Sequence, residues 1–582
     1  MEEGKNEPLA INEVENKNND ELKANVKKKI VLLIIALIVC ITILIILLIV
    51  FSVKSKDDDD DKEENKKKSS LKIFAKYSVN QENDKILLIN EKYLPYISSI
   101  KVDESSSISS NYLYFSGIYN IEFQLNKALD NFDEMFYGCE NLIEVDFSQL
   151  GDIKPKSLVK TFYGCKSLKS FNFSSIDTSD VINMTGLFKG CSSLNSIDLN
   201  LIDTSNVKDI SEMFSGCSSL TSIDVSSFKT SNVEKMNNLF ESTSIVSISI
   251  DNFDTSNVKD ISNLFYRCSK LEKVSMNIKL PKAENLSRMF SGCSSLVSFI
   301  MPNFENTNTV SIQGMFENCK SLKTISLDEL KTENVIDMSY MFYSCTSLTY
   351  LNINNFETKK LKNMAFMFSG CSSLNYLSAN FDTSEVENMA NAFSGCGELV
   401  RIDIDNFNSG KVKNFFGIFS GCKTLQNINF ENFDVSNGED LSAMFNQCES
   451  LKSINTNKFK TTNALNMNAM FEGCSSITNL DLSNFDTSKV TNFGNMFSGC
   501  TSLTSLDLSN FVSSQLKNIN HMFRDCESLS YIDISSLNLK DMEIVYDPFY
   551  GLPENGTILL NLDYISYDVK KEIPENWEIV EK

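Results

Sequence analysis

Residues 483–511 read SNFDTSKVTNFGNMFSGCTSLTSLDLSNF. Leu503, Leu506 and Leu508 obey L-x-x-L-x-L. On a strand this spacing sends Leu506 inward, and Asp507 outward between Leu506 and Leu508. Upstream, Phe497 is followed three residues later by Cys500, and this pair is not local. The Phe recurs sixteen times from Phe136 to Phe523 at intervals of 25 or 26 residues, with a Cys three residues on in fifteen cases. A fixed period of this length marks a solenoid, because so small a unit buries its apolar face only against a stacked neighbour.

L-x-x-L-x-L is the strand signature of a leucine-rich repeat. Where many such repeats hold Asn three residues later, this chain holds Phe511, and Phe228, Phe356 and Phe485 sit at the same place. A Phe there supplies apolar bulk in place of an amide. A turn follows, DTSNV at 203–207 and DTSKV at 486–490, in which Asp, Thr and Ser can bond nearby backbone. Next comes Met-x-x-Met-Phe, as in Met364, Met367 and Phe368. That i, i+3, i+4 spacing predicts a short helix or 3₁₀ segment on the convex side. Gly precedes the Cys in ten repeats, as a left-handed helix stop would, with Asn318, Ser344 and Asp525 among the replacements. The expected architecture is an α/β solenoid, a leucine-rich repeat superhelix with a parallel concave sheet and about sixteen repeats, capped at both ends.

The repeated F-x-G-C-x-S-L and the 483–511 unit resemble the BspA-like leucine-rich repeat surface proteins, a repeat also found in mycoplasmal lipoproteins. The resemblance covers about 70% of the chain and extends to the terminal GLPENGTILLN…IPENW segment. It implies a cell-surface protein that binds other proteins and mediates adhesion to host or neighbouring cells or to matrix proteins. Many bacterial relatives carry a cleaved signal or a C-terminal anchor, so their attachment modes do not transfer to this chain.

Residues 30–51, IVLLIIALIVCITILIILLIVF, contain no charge, Gly or Pro. As a helix they would span about 33 Å, enough to cross the hydrocarbon core. They are expected to form a transmembrane signal anchor. Residues 1–29 would be a disordered cytoplasmic tail and 52–70 a charged stalk. An N-terminal cap (71–130), the solenoid (131–537) and a C-terminal cap (538–582) would follow. Lysines flank both ends of the apolar run; the short tail and the acidic run Asp57–Asp61 favour an extracellular repeat domain. The net charge of −22 disfavours a nucleic-acid partner.

The outward strand position following Leu506 or its equivalent forms a column predicted to be the partner-binding face. It holds Asp146, Asn172, Asp198, Asp224, Ser326, Asn352, Asp403, Asn429, Asn455, Asp481, Asp507 and Asp533, is neutral from Ser249 to Ser378, and is broken by Ile300. Its acids at Asp481, Asp507 and Asp533 are also a weak Ca²⁺ candidate. The alternative is a solvated row that keeps the sheet soluble. The cysteines lack metal-ligand spacing and are expected as buried thiols. No cofactor is implied. The single histidine, His521, and the lack of any hydrolase, metalloprotease or nucleotide-binding fingerprint disfavour an enzyme. The partners expected are extracellular or host proteins. A structural coat or self-associating protein is the alternative.

Overall fold

In a computed structural model, residues 71–79, 85–104, 106–114, 116–151, 153–402, 404, 407–428, 430, 433–456, 459–542 and 545–582 are described. The tail, anchor and stalk expected at 1–70 lie outside them. Among the described residues no helix is long and apolar enough to cross a membrane.

The alternation in KIFAKYSV makes Lys72–Val79 a strand with Ile73, Ala75, Tyr77 and Val79 inward. It pairs antiparallel with Gly117–Leu125 on one side and with Leu142–Asp146 on the other. Leu142–Asp146 then pairs parallel with Ser170–Asn172, and from there the chain winds as a parallel β-solenoid of about sixteen turns with few helices. At the far end Ser505–Asp507, Tyr531–Asp533, Thr557–Leu560 and Glu578–Glu581 form a four-stranded parallel sheet. Trp577 packs under it, 6% exposed, and its indole N–H donates to the Pro553 carbonyl at 2.9 Å.

The core is a set of columns. Every successive pair from Phe136 to Phe523 stacks, with ring centroids 5.4–6.0 Å apart. Beside it runs the thiol column, buried and free of disulfides. Each thiol from Cys165 onward donates to the carbonyl of the preceding repeat's Phe, as Cys371 does to Phe342 at 3.1 Å. In the one repeat that lacks the Cys, Thr243 donates to Phe240 and lies 3.3 Å from the Cys268 sulfur.

The helix expected at Met-x-x-Met-Phe is absent. In its place each repeat makes a run of overlapping turns that is hydrogen-bonded to its neighbour. Met338, Tyr340, Phe342 and Ser344 donate N–H bonds to Asn363, Ala365, Met367 and Ser369 of the next repeat, at 2.7–3.0 Å. The alternate residues Met341, Tyr343 and Cys345 donate to the carbonyl three back. Two residues four apart, here Tyr340 (φ 59°) and Ser344 (φ 57°), take the left-handed conformation, which breaks a right-handed helix at both points. The residue before the cysteine, Gly in ten repeats, is one of these two positions in each turn run. On this turn face single-residue parallel bridges run unbroken from Ser157 to Asn518. On the strand face the assigned ladder is interrupted. Ser247–Ser249 pairs with Lys273–Ser275, Ser298–Ile300 with Thr324–Ser326, and Tyr350–Asn352 with Tyr376–Ser378.

Candidate protein-interaction face

Three polar rows lie along the solenoid, and their hydrogen bonds show what each is used for. On the turn face, the row that includes Asp337, Asn363 and Asn414 accepts the N–H two residues on, at 2.9–3.1 Å, and so closes the turn entered at each bridge. At DTS the Asp does the same, Asp203 accepting from Ser205 at 2.9 Å. The Thr is buried and spans two repeats. The Thr332 hydroxyl accepts the Glu357 N–H at 2.8 Å and donates to the Glu357 carbonyl at 3.1 Å. These groups are occupied by the fold.

The third row is the predicted face. Asp146, Asn172, Asp198, Asp224, Asn352, Asp481, Asp507 and Asp533 each accept the backbone N–H two residues on, at 2.9–3.2 Å. The hydrogen bonds from Ser226 and Ser483 hold the Asp224 and Asp481 carboxyls below the usual range. Most of the row lies at the surface, but each of these eight side chains first caps the turn that ends its strand. Asn455 is exposed on the same row, while Asp403 and Asn429 lie outside the described residues.

One expectation is corrected here, at Asp533. The middle of the row is neutral, but carboxylates stand just beside it. Where the row holds Ser249 and Ser326, the acid stands two residues later, and each hydroxyl donates to it, Ser249 to Asp251 at 3.0 Å and Ser326 to Asp328 at 2.9 Å. The turn is closed with donor and acceptor exchanged. Asp533 is not outward-facing and open. It is 1% exposed, because Glu578–Glu581 adds a strand beyond it and Lys582 reaches back to its carboxylate at 2.6 Å. Burial opposes ionisation of Asp533, but Lys582 and Ser535 outweigh it and hold the carboxyl low. Asp533 is therefore no open ligand for the Ca²⁺ candidate at Asp481, Asp507 and Asp533: its counter-charge is the chain's own lysine.

Sequence reasoning missed a fourth row. In most strand triplets both residues flanking the inward centre face outward, as in Ser505–Leu506–Asp507. The leading position holds Ser247, Lys273, Ser298, Thr324, Tyr350 and Tyr376 in successive repeats, and the spacing of Leu377 to Ile402 places Arg401 next. Tyr350 and Tyr376 are each 53% exposed, and their rings stack at 5.2 Å and 2°. The signal was present in the same L-x-x-L-x-L alternation, which exposes two positions per strand. Ile300, 78% exposed, rims a shallow depression of about 680 Å³ that also involves Ile223, Val274 and Phe299.

A parallel solenoid with leucine-type strands and an exposed side-chain row on each is the architecture of a leucine-rich repeat interaction protein. The chain belongs to the family described as "Mycoplasma protein of unknown function, DUF285", whose profile matches residues 130–244, 156–277, 196–300, 284–401, 347–457 and 439–558. This family and the fold together support the BspA-like leucine-rich repeat class. None of the curated proteins compared with this chain matches it in sequence. Among solved structures, a leucine-rich repeat protein from Eubacterium ventriosum is similar at 16% identity and TM-score 0.29, covering 57% of this chain and 82% of that one. A TLR13–ssRNA13 complex is similar at 15% identity and TM-score 0.19, covering 74% of each chain.

Proposed function

We propose that this is a single-pass surface protein, anchored by residues 30–51 with its N-terminus cytoplasmic, whose solenoid binds other proteins through its strand face. Adhesion to host or neighbouring cells, or to matrix proteins, is the activity this reading assigns, without catalysis. The observation that carries it is the division of labour among the rows. The turn-face rows described above are spent on holding repeats together, whereas the leading strand row holds exposed, chemically varied side chains. An extended row of that kind suits a macromolecular partner.

Protease treatment of intact cells that display the chain is expected to remove residues 71–582 and to leave a tag on residues 1–29 intact. Displaying cells should also adhere saturably to cultured cells or matrix-coated surfaces. A protected repeat domain, or adhesion equal to that of non-displaying cells, would reject the reading. A self-associating coat is the second reading, favoured by exposed aromatic side chains at the C-terminal end, Tyr546, Tyr550, Tyr564 and Tyr567. Concentration-dependent assembly without adhesion would select it.

A further inference from the structure

We propose that the recognition centre of the strand face is the cluster Tyr350, Tyr376 and Arg401, and that it takes a protein partner presenting a carboxylate beside an apolar side chain. This rests on the protein-binding reading above and goes beyond it in naming the site and the partner's chemistry.

Three observations converge on it. The two tyrosines are among the most exposed aromatic side chains of the strand face, and their stacking fixes both rings. Fixed aromatic surface at low entropic cost is what binding centres use, with Tyr and Arg enriched among them. The second observation is Arg401 itself. The chain has four arginines. Arg267 lies over the Tyr266 ring, Arg288 is paired with Glu317, and Arg524 with Asp525. Arg401 is exposed and, among the described residues, is the one arginine without an ion pair or ring partner. A planar guanidinium offers a carboxylate two parallel hydrogen bonds, and Arg401 has, among the described residues, no ring or acid already occupying it. The third is the local polar setting. The trailing row beside the tyrosines holds Asn352 and Ser378, and Val400, 49% exposed, precedes Arg401. In a chain of net charge −22, Arg401 is an exposed cation without an ion pair among the described residues, next to the neutral Tyr350–Tyr376 stretch of the face. That charge pattern is complementary to an acid flanked by apolar surface.

The test pans a library of short random displayed peptides against the immobilised full chain in detergent micelles. Enriched peptides are then measured against the wild type, Arg401→Glu, Tyr376→Ala and the distant Lys571→Ala, with the thermal melt of each as a folding control. Enriched peptides should carry Asp or Glu next to an apolar residue. Their affinity should fall at least about tenfold in Arg401→Glu and Tyr376→Ala and stay constant in Lys571→Ala. Replacing the peptide acid by Lys should restore binding to Arg401→Glu. No acidic enrichment, or affinities insensitive to both substitutions, overturns the proposal. So does self-association of the wild type that Arg401→Glu abolishes, which would make the occupant a second copy. Binding to sialylated glycans but to no peptide also overturns it. Saturable cell adhesion that survives both substitutions rejects this site while leaving the surface-binding reading intact. Loss of adhesion by the wild type itself would instead reject that reading.

Discussion

Replacing Phe368 by Ala removes one ring from the middle of the aromatic column. Phe368 is fully buried and stacks on Phe342 at 5.8 Å and on Phe393 at 5.4 Å, with Phe381 at 6.5 Å. Its backbone bonds, N–H to Ala392 and carbonyl from Cys371 and the Cys396 thiol, do not depend on the ring and remain. The loss is therefore one of side-chain burial, about 3–5 kcal/mol for a buried Phe→Ala change. Phe368→Leu keeps most of the volume but gives up the ring stacking, worth about 0.5–1.5 kcal/mol per pair, so it should cost roughly 2 kcal/mol. In a stacked array this loss falls on two neighbouring interfaces and leaves the others whole. Urea unfolding followed by far-UV circular dichroism reports all repeats, while fluorescence of Trp577, the single tryptophan, reports the C-terminal end. In Phe368→Ala the two transitions should separate, because the weakened centre lets the halves unfold independently. If both variants cost less than about 1 kcal/mol and the two probes still coincide, the aromatic column is not what couples the repeats.

The thiol column and the C-terminal lock give two further outcomes. Burial pushes the thiols up, Cys268 to about 11 and Cys217 to about 12, so neutral pH leaves few thiolates. The fifteen described cysteines should resist iodoacetamide in the folded protein and all react in urea, and rapid native labelling of more than one thiol per chain would contradict the buried column. For Asp533 the folded value lies below the ordinary 3.8, so its pairing stabilises fully above 3.8 and is lost as pH falls through the lower folded value. Lys582→Ala leaves burial unopposed by an ammonium, so Trp577 fluorescence should show the cap loosening at higher pH than in the wild type. Superimposable acid titrations would reject the lock.

The strands were legible because period-2 alternation has one structural reading when it recurs beside a fixed Phe and Cys. The turn face was not. Met364, Met367 and Phe368 stand at i, i+3, i+4, and that spacing gathers side chains on one side of a helix and of a run of overlapping turns alike. What separates the two is the backbone. At Tyr340 and Phe366 even bulky aromatics take a left-handed φ, near 58°, which propensity argues against. The N–H bonds from one repeat to the next hold them there, and those bonds have no local sequence signature. The Asp533–Lys582 contact was illegible for another reason: the partners are 49 residues apart and one lies beyond the last period. The leading strand row could have been read and was not, since choosing one outward residue per strand discards the other.

Repetition within the chain supplies its own comparison of positions. Where the solenoid needs a particular side chain, the row is uniform. The ring column is Phe throughout, the thiol column is broken once by a hydrogen-bonding Thr, and the row entering each turn is mostly Asn or Asp. The predicted binding row falls largely in this class, because its Asp and Asn residues cap turns, and Ser249 and Ser326 instead donate to the acid two residues on, Asp251 and Asp328. The leading strand row obeys no such rule and passes from Ser and Lys through Thr to Tyr, Tyr and Arg between residues 247 and 401. Side-chain variety at a position that the fold leaves unconstrained is where recognition can be written without cost to stacking. The acidic row thus accounts for how eight of the strands end, and the recognition proposed above is assigned to the row beside it.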